Sequence, residues 1–454
     1  MKLKSILLIC LIVSLTSACS KKFFERYPSN QITVNNHYRN PEDFNQAVGS
    51  CYVKLKSEMG WHLQELAYRT DECQLESMTV QDRDRYNIDH FSENSSTSLL
   101  STVWNTWYNG IYRCNDVLNH LEMTDFEMAG KYRGELLFIR SWHYFNLYRT
   151  FGVVPVTTKV VTPEESKFIP RCTEEEMYTR LSSDLAEAAR LLPENRSAEV
   201  ARVTKIAAYT LLGKVNLTFG KYAEAKEVLD SAFKCPGYGM MKTTAEAFDV
   251  KNKMNKEIIF ALYYNKSTDN GHGYWYNAST SVKKDIKNPK AEFKAIYQAE
   301  DNRLELIDSY REITPNKVYA MKKWDDVYDA TYTTKVGNDF PHLRYADLHL
   351  LYAEACFRTN NMDKANEHLN VTRTRAGLEN KEFSGEDFIR ELADERGREF
   401  ALEGQRWYDL VRLGLAKEKL ESKGMKAHNV LFPIPLDQIK IVNNGSVLWQ
   451  NPGF

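Results

Sequence analysis

Several signatures that would disclose a chemistry are missing from this chain. Its 454 residues contain no H-E-x-x-H, no G-x-S-x-G and no G-x-x-x-x-G-K-[ST] segment. Those patterns hold a hydrolytic zinc, present a nucleophilic serine or cradle a phosphate, so none of these chemistries is supported. There is no excess of charge either: 60 basic and 61 acidic residues leave a formal net charge of -1. A nucleic-acid binder would show a basic footprint, and none is expected here. The eight cysteines include no C-x-x-C pair, and the ten histidines fall in no metal-ligand spacing with them. Asp82-Arg83-Asp84 is too short for a calcium loop. No metal or cofactor is expected. A mean hydropathy of -0.52 with 43% hydrophobic residues describes a soluble folded chain, not a membrane-spanning one.

What is plentiful is aromatic: 12% of the residues, with 26 Tyr and 8 Trp. A core absorbs many such rings, but not obviously all of them.

The N-terminus reads as an export signal. Lys2 and Lys4 precede an apolar run from Ile6 to Leu15, and small residues Thr16, Ser17 and Ala18 lead to Cys19. The run is too short to span a bilayer stably. A cysteine at the cleavage point resembles the lipobox of bacterial lipoproteins, which implies removal of residues 1–18 and acylation of Cys19. Leu15 stands one place further from Cys19 than that pattern usually has it. The alternative is ordinary cleavage leaving a free cysteine. Acyl chains would anchor the protein at about 0.8 kcal/mol per buried methylene. The remaining cysteines, Cys51, Cys73, Cys114, Cys172, Cys235 and Cys356, are scattered and are expected as buried free thiols.

Helical periodicity dominates the rest. Pro41 opens an amphipathic run through Leu55; Trp104 to Leu121 and Tyr132 to Phe151 follow, the latter stopped by Gly152 and Pro155. Glu174 to Leu192 ends at Pro193. The clearest pattern is Thr204 to Pro236. Tyr209, Leu212 and Gly213 lie on one helix, Tyr222, Ala225, Leu229 and Ala232 on the next, and Gly220 between them. Those positions match the tetratricopeptide repeat, except for Asn216 where an aromatic is usual and Pro236 one place early. A second copy is expected at Tyr345 to Gly377, and a third at Tyr132 to Pro193 with a longer connection. Such helix pairs stack because no pair buries its apolar face alone. The texture changes at Lys242 to Asp339, rich in Asn, Lys, Asp, Thr and Tyr, and again at Trp61 to Ser98. Glu257 to Ala261 suits a short strand. Long loops on a rigid frame are where binding usually sits.

Taken in order, these pieces resemble the SusD/RagB family over nearly the whole mature length. The resemblance rests on Trp104 to Ile111 with Asn115, Arg140 to Leu147, Arg202 to Lys205, Glu257 to Phe260 and Arg344 to Asp347. It continues through Ala353 to Ala355, Asn370, Arg373, Arg375 to Gly377, Glu395, Arg398, Glu399, Glu403, Arg406, Trp407, Asp409 and Arg412, ending in Phe432 to Pro435 and Gln450 to Gly453. The resemblance implies a mostly α fold, a tetratricopeptide-like helical superhelix with large loop insertions. It divides the chain into an N-terminal half, residues 19–240, and a C-terminal half, residues 241–454. It also implies a lipid-anchored outer-membrane protein that captures oligosaccharide for a SusC-like TonB-dependent transporter, without being an enzyme. Peptide capture, as in RagB-like members, and an extracytoplasmic glycoside hydrolase are the alternatives. After Cys19 this chain has Ser20-Lys21-Lys22, where surface-exported relatives often carry acidic residues.

The carboxylates and arginines from Glu395 to Asp409 have the i,i+3 and i,i+4 spacing of ion pairs along one helix. Catalytic carboxylate pairs instead face each other across a cleft. Trp104, Trp107, Trp142 and Trp407 fall on apolar helix faces and are expected in the core. The aromatics of the polar stretches differ. Sugar faces expose C–H groups that stack on flat rings, while neighbouring polar groups bond the hydroxyls. Trp61, Tyr86, Asn87, Tyr274, Trp275, Tyr276 and Trp324 are therefore the candidate ligand contacts, with Trp275 and Trp324 foremost. Tyr68, Tyr263, Tyr264 and Tyr328 are further loop aromatics, and Asp82, Arg83 and Asp84 are candidate hydroxyl partners.

Overall fold

The structure, a computed structural model, describes residues 38–58, 66–75, 80, 82–196, 201–265, 277–278, 289–313, 318–326 and 337–454. Ala47–Phe454 makes one compact unit, and residues up to Gln46 make another. The principal helices are α1 (Pro41–Leu55), α2 (Ser98–Leu121), α3 (Ala129–Phe151), α4 (Glu174–Leu191), α5 (Lys205–Thr218), α6 (Tyr222–Phe233), α7 (Tyr345–Arg358), α8 (Met362–Arg375), α9 (Gly385–Glu399) and α10 (Arg406–Arg412). From α2 to α8 each helix packs on the next in the chain, and α9 closes on α7 and α8. That serial stacking is the expected superhelix, with three helix pairs: α3 with α4, α5 with α6, and α7 with α8.

Local chemistry sets the ends. Gly152 takes a φ of +76° after α3, a conformation that a side chain would strain. Thr173 and Glu176 form a reciprocal capping box at the start of α4. Gly213 allows α5 and α6 to touch: a Cβ there would lie 2.3 Å from Leu229 Cδ2. Asn216, the departure from the repeat pattern, is buried and accepts a hydrogen bond from Tyr178 Oη on α4 at 3.2 Å. An aromatic there could not accept that bond.

The expected strand is β1 (Ile258–Leu262), which pairs antiparallel with β5 (Phe340–Arg344). A second sheet joins β2 (Asn277–Ala278), β4 (Val318–Met321) and β3 (Tyr310–Ile313), in that spatial order. The polar insertion thus leaves and re-enters the helical frame through one two-stranded root. Cys51, Cys114, Cys235 and Cys356 are buried free thiols, Cys73 is buried, and Cys172 is half-buried. Among the described residues no helix is long and apolar enough to cross a membrane.

That root is held by buried charge. Arg344, at the end of β5, donates to Glu257 Oε1 at 2.7 Å, to Glu399 Oε1 at 2.9 Å, and to both oxygens of Glu403 at 2.9 Å. Arg303 bonds Asp301, Glu395 and Glu399, and Arg375 bonds Glu257 and Glu399. Burial alone would push the Glu399 carboxyl up, but Arg375, Arg344 and Arg303 together hold it below the usual carboxylate range.

The expectation of pairing along one helix is corrected here. α9 stops at Glu399, and Leu402 (φ +61°) and Gly404 (φ +70°) turn the chain before α10. Leu402 tolerates that backbone because its N–H donates to Glu72 Oε1 at 2.8 Å. Most partners of the cluster are therefore remote segments and not neighbours one turn away. Arg396 reaches Asp347 on α7 and Asp409 on α10, and Arg412 reaches Glu354 on α7. Replacing Arg344 by Met would leave Glu257, Glu399 and Glu403 short of a shared cation in the interior. A loss of roughly 3–5 kcal/mol is expected, read as a lower urea midpoint with the slope unchanged.

Candidate functional site

The insertion and the first polar stretch carry the aromatic candidates, and the structure sorts those it describes. Trp61, Tyr274, Trp275, Tyr276 and Tyr328 lie outside the described residues, as does Cys19. Trp324 is described, and the expectation for it is wrong. It is 1% exposed, set edge-on to Phe248 with centroids 5.0 Å apart and stacked on Phe340 at 5.8 Å. The adjacent Lys323 is pinned at 2.7 Å to both Glu403 Oε1 and the Ala401 carbonyl, which draws this segment inward. Trp324 is a root of the loop and not part of its outer face.

Tyr86 and Asn87 sit on the short helix Arg83–Asp89 and are half-buried. Tyr86 stacks on His90 at 3.9 Å and 19°, which fixes its ring. Asn87 accepts from Ser92, through its carbonyl from the N–H at 2.9 Å and through Oδ1 from the hydroxyl at 3.3 Å. Asp84, expected as a hydroxyl partner, instead accepts from the Ser98 and Leu99 N–H groups and caps α2. Asp82 pairs with Arg85 at 3.2 Å. Tyr68 and Tyr264 are buried. Tyr263 is 37% exposed, with the Lys253 ammonium 4.0 Å from its ring centroid. Asp339 anchors that lysine at 2.7 Å, and burial pushes the Asp339 carboxyl up to about 6. Trp104, Trp107, Trp142 and Trp407 are core, as expected.

The first loop springs from an unusual base. Glu58 is buried and accepts from the indole N–H groups of both Trp107 and Trp142, the latter at 2.7 Å. His143 and His342 stand 3.8 and 3.9 Å from its carboxylate. Burial pushes Glu58 up to about 7, and the two indoles offset only part of that.

One described concavity was not foreseen. A cleft of about 690 Å³ opens between the end of α3, α10 and the C-terminal segment, bordered by Tyr148, Tyr408 and Trp449. Trp449 is 42% exposed. It stands just before the Gln450 to Gly453 signature, and no periodicity in the sequence marks it as open.

These features define a helical-repeat scaffold with an aromatic-bearing insertion, a binding architecture. Two family models match the chain: one described as "SusD family" over residues 304–454, and one described as "Starch-binding associating with outer membrane" over residues 22–217. The chain belongs to the SusD/RagB family. Among its relatives, "SusD-like protein P2" of Formosa agariphila is 23% identical over 100% of both chains. "Starch-binding protein SusD" of Bacteroides thetaiotaomicron is 25% identical over 73% of this chain and 74% of that protein. A solved "Laminarin binding SusD-like protein" superposes with a TM-score of 0.79 at 23% identity, covering 92% of this chain and 100% of that one. "Surface glycan-binding protein A from Bacteroides thetaiotaomicron in complex with laminarihexaose" gives 0.75 at 19% identity, covering 90% and 99%.

Two outcomes follow from the residues placed here. Trp324→Ala should cost about 3–5 kcal/mol in denaturant unfolding, the penalty of emptying a core ring site. The Glu58 carboxyl binds its proton more tightly when folded than when unfolded. Its stabilising effect is therefore full below pH 4.5 and is lost as pH rises toward 7. Unfolding curves of the native chain and of Glu58→Gln should accordingly diverge across that window, with the glutamine form gaining relative stability toward neutral pH.

Proposed function

We infer that this protein binds oligosaccharide at the outer membrane and hands it to a SusC-like TonB-dependent transporter, anchored there through an acylated Cys19 after loss of residues 1–18. Trp61, Tyr86, Asn87, Tyr274, Trp275 and Tyr276 are the residues proposed to make the contact. The observation that carries this reading is the likeness, over 90% or more of this chain, to solved proteins named for laminarin and laminarihexaose, together with the likeness over 73% of it to one named for starch. The division of labour in the structure supports it. A charge-locked root leaves the insertion free to vary in chemistry while its point of attachment stays fixed.

A binding role also agrees with the state of the acidic residues. Glu395, Glu399, Glu403 and Asp409 are each committed to arginines in the interior. They are not poised on either side of an open cleft, as a hydrolytic pair must be. Energetics suit capture and release. Two or three ring stacks at about 0.5–1.5 kcal/mol each, with a few exposed hydrogen bonds, give roughly millimolar to micromolar affinity.

Glycan and peptide panels presented to the purified mature protein test the cargo class. Binding should fall on the glycan side. Trp275→Ala should weaken it by about tenfold, the worth of one good stack, with the thermal midpoint unchanged. Exclusive capture of peptides, or turnover of an oligosaccharide, would overturn the reading.

A further inference from the structure

The cleft at Trp449 is built differently from a neutral sugar platform. Arg171 lies beneath it, 7% exposed, with its guanidinium 4.8 Å from the Trp449 ring centroid. It donates to the Val153 carbonyl at 2.6 Å, the Trp449 carbonyl at 2.8 Å and Asn451 Oδ1 at 2.8 Å. Those oxygens are neutral, so they fix the arginine and the indole backbone without cancelling the charge. The indole is thereby held in place by a cation while much of its surface stays open to solvent.

Arg149 completes the arrangement. Its guanidinium lies 3.8 Å from the Tyr408 ring centroid and 4.3 Å from that of Phe145, so its plane is fixed. Among the described residues its hydrogen-bond partner is Asn146 Oδ1, and its Nε is buried without one. Burial lowers it to about 10, so it remains charged at neutral pH. Among the described residues neither Arg149 nor Arg171 meets a carboxylate in an ion pair. Arg412, also at the cleft, differs in being saturated by Glu354 and Asp409. Glu174 stands on the rim, accepting from Tyr148 Oη at 2.6 Å. An exposed indole, two guanidiniums with no carboxylate in contact among the described residues, and a rim carboxylate therefore share one space of ligand size.

We propose that this cleft is a second saccharide site, selective for a sugar ring bearing a carboxylate or a sulfate. The ring lies on the open face of Trp449, and its acidic group is received by Arg149. A guanidinium held flat against two rings, with terminal N–H groups left over after its bond to Asn146, can donate to an oxygen of such a group. Glu174 would repel the acid and accept from a hydroxyl, which fixes which end enters. The proposal rests on the glycan-binding reading above but not on the loop face. It adds a charge class to the cargo: acidic polysaccharide engaged at two separate points on one protein.

Calorimetric titration with trigalacturonate and with a sulfated galactobiose, each compared with neutral galactotriose at low and high salt, is the test. Binding of one or both acidic sugars, about tenfold or more tighter than the neutral one and weakened by salt, is expected. The two acidic arms distinguish carboxylate from sulfate recognition. Trp449→Ala should reduce acidic-sugar binding about tenfold, and Arg149→Gln should erase the preference over the neutral sugar. If Arg149→Gln lowers the thermal midpoint, Arg149→Lys supplies the check, since it keeps the charge and should keep the preference. Trp275→Ala should leave acidic-sugar binding at this cleft intact. Equal affinity for acidic and neutral sugars, no binding of either acidic sugar, or loss through Trp275→Ala but not Trp449→Ala would each overturn the proposal. Neutral-glycan binding that depends on Trp275 would then leave the capture function standing, whereas absence of all glycan binding would remove both.

Discussion

The interaction on which the rest of this structure depends is the buried ion cluster around Arg344. It ties Glu257 before β1, Glu399 at the end of α9 and Glu403 in the following turn into one unit. Arg303 and Arg375 extend it to α8 and to the segment before β3. Desolvating this many charges is expensive, and apolar residues would often stabilise such a core more. What the charges add is direction. Each guanidinium accepts only a narrow set of carboxylate geometries, so the register of the β1–β5 root and the angle of α9 are fixed together. A hydrophobic contact of similar area would tolerate sliding.

This rigidity matters because the insertion leaves and re-enters the frame through that root. The segment between β1 and β5 has its own small sheet and meets the frame at several points: the Lys290 N–H donates to the Glu72 carbonyl, Tyr297 Oη to the Arg398 carbonyl, Arg303 bonds Glu395 and Glu399, and Lys323 bonds Glu403. In the proposed mode of binding, by a few ring stacks and exposed hydrogen bonds, little affinity is left for ordering the site, so preorganisation of the base would contribute directly. The Trp449 cleft uses the same device on a smaller scale, a buried arginine fixing an exposed ring.

Much of the frame was legible from sequence. The helix limits at Phe151 and Leu191 follow from Gly152 and Pro193, and the Gly213 contact follows from small residues at repeat positions. Trp104, Trp107, Trp142 and Trp407 were assigned to the core because helical periodicity gives a face to each. Trp324 defeated the same method, since a polar neighbourhood of lysines and aspartates suggests exposure. Lys323, Asp325 and Asp326 are in fact buried beside it, with Lys323 neutralised by Glu403 from a distant part of the chain. Asp84 was misjudged for a related reason: its role as a cap depends on where α2 begins in space, fourteen residues away.

The sequence by itself determined the helices, the repeat pairing, the strand at Ile258–Leu262 and the family, because each is written in local periodicity or in short motifs held in order. Tertiary structure alone decided which charges are buried, which rings face solvent and where a cleft opens. Those properties depend on partners remote in the chain: Glu403 for Lys323, Phe340 for Trp324, Arg171 for Trp449. Exposure and charge compensation are pairwise quantities, and a linear pattern specifies only one member of each pair.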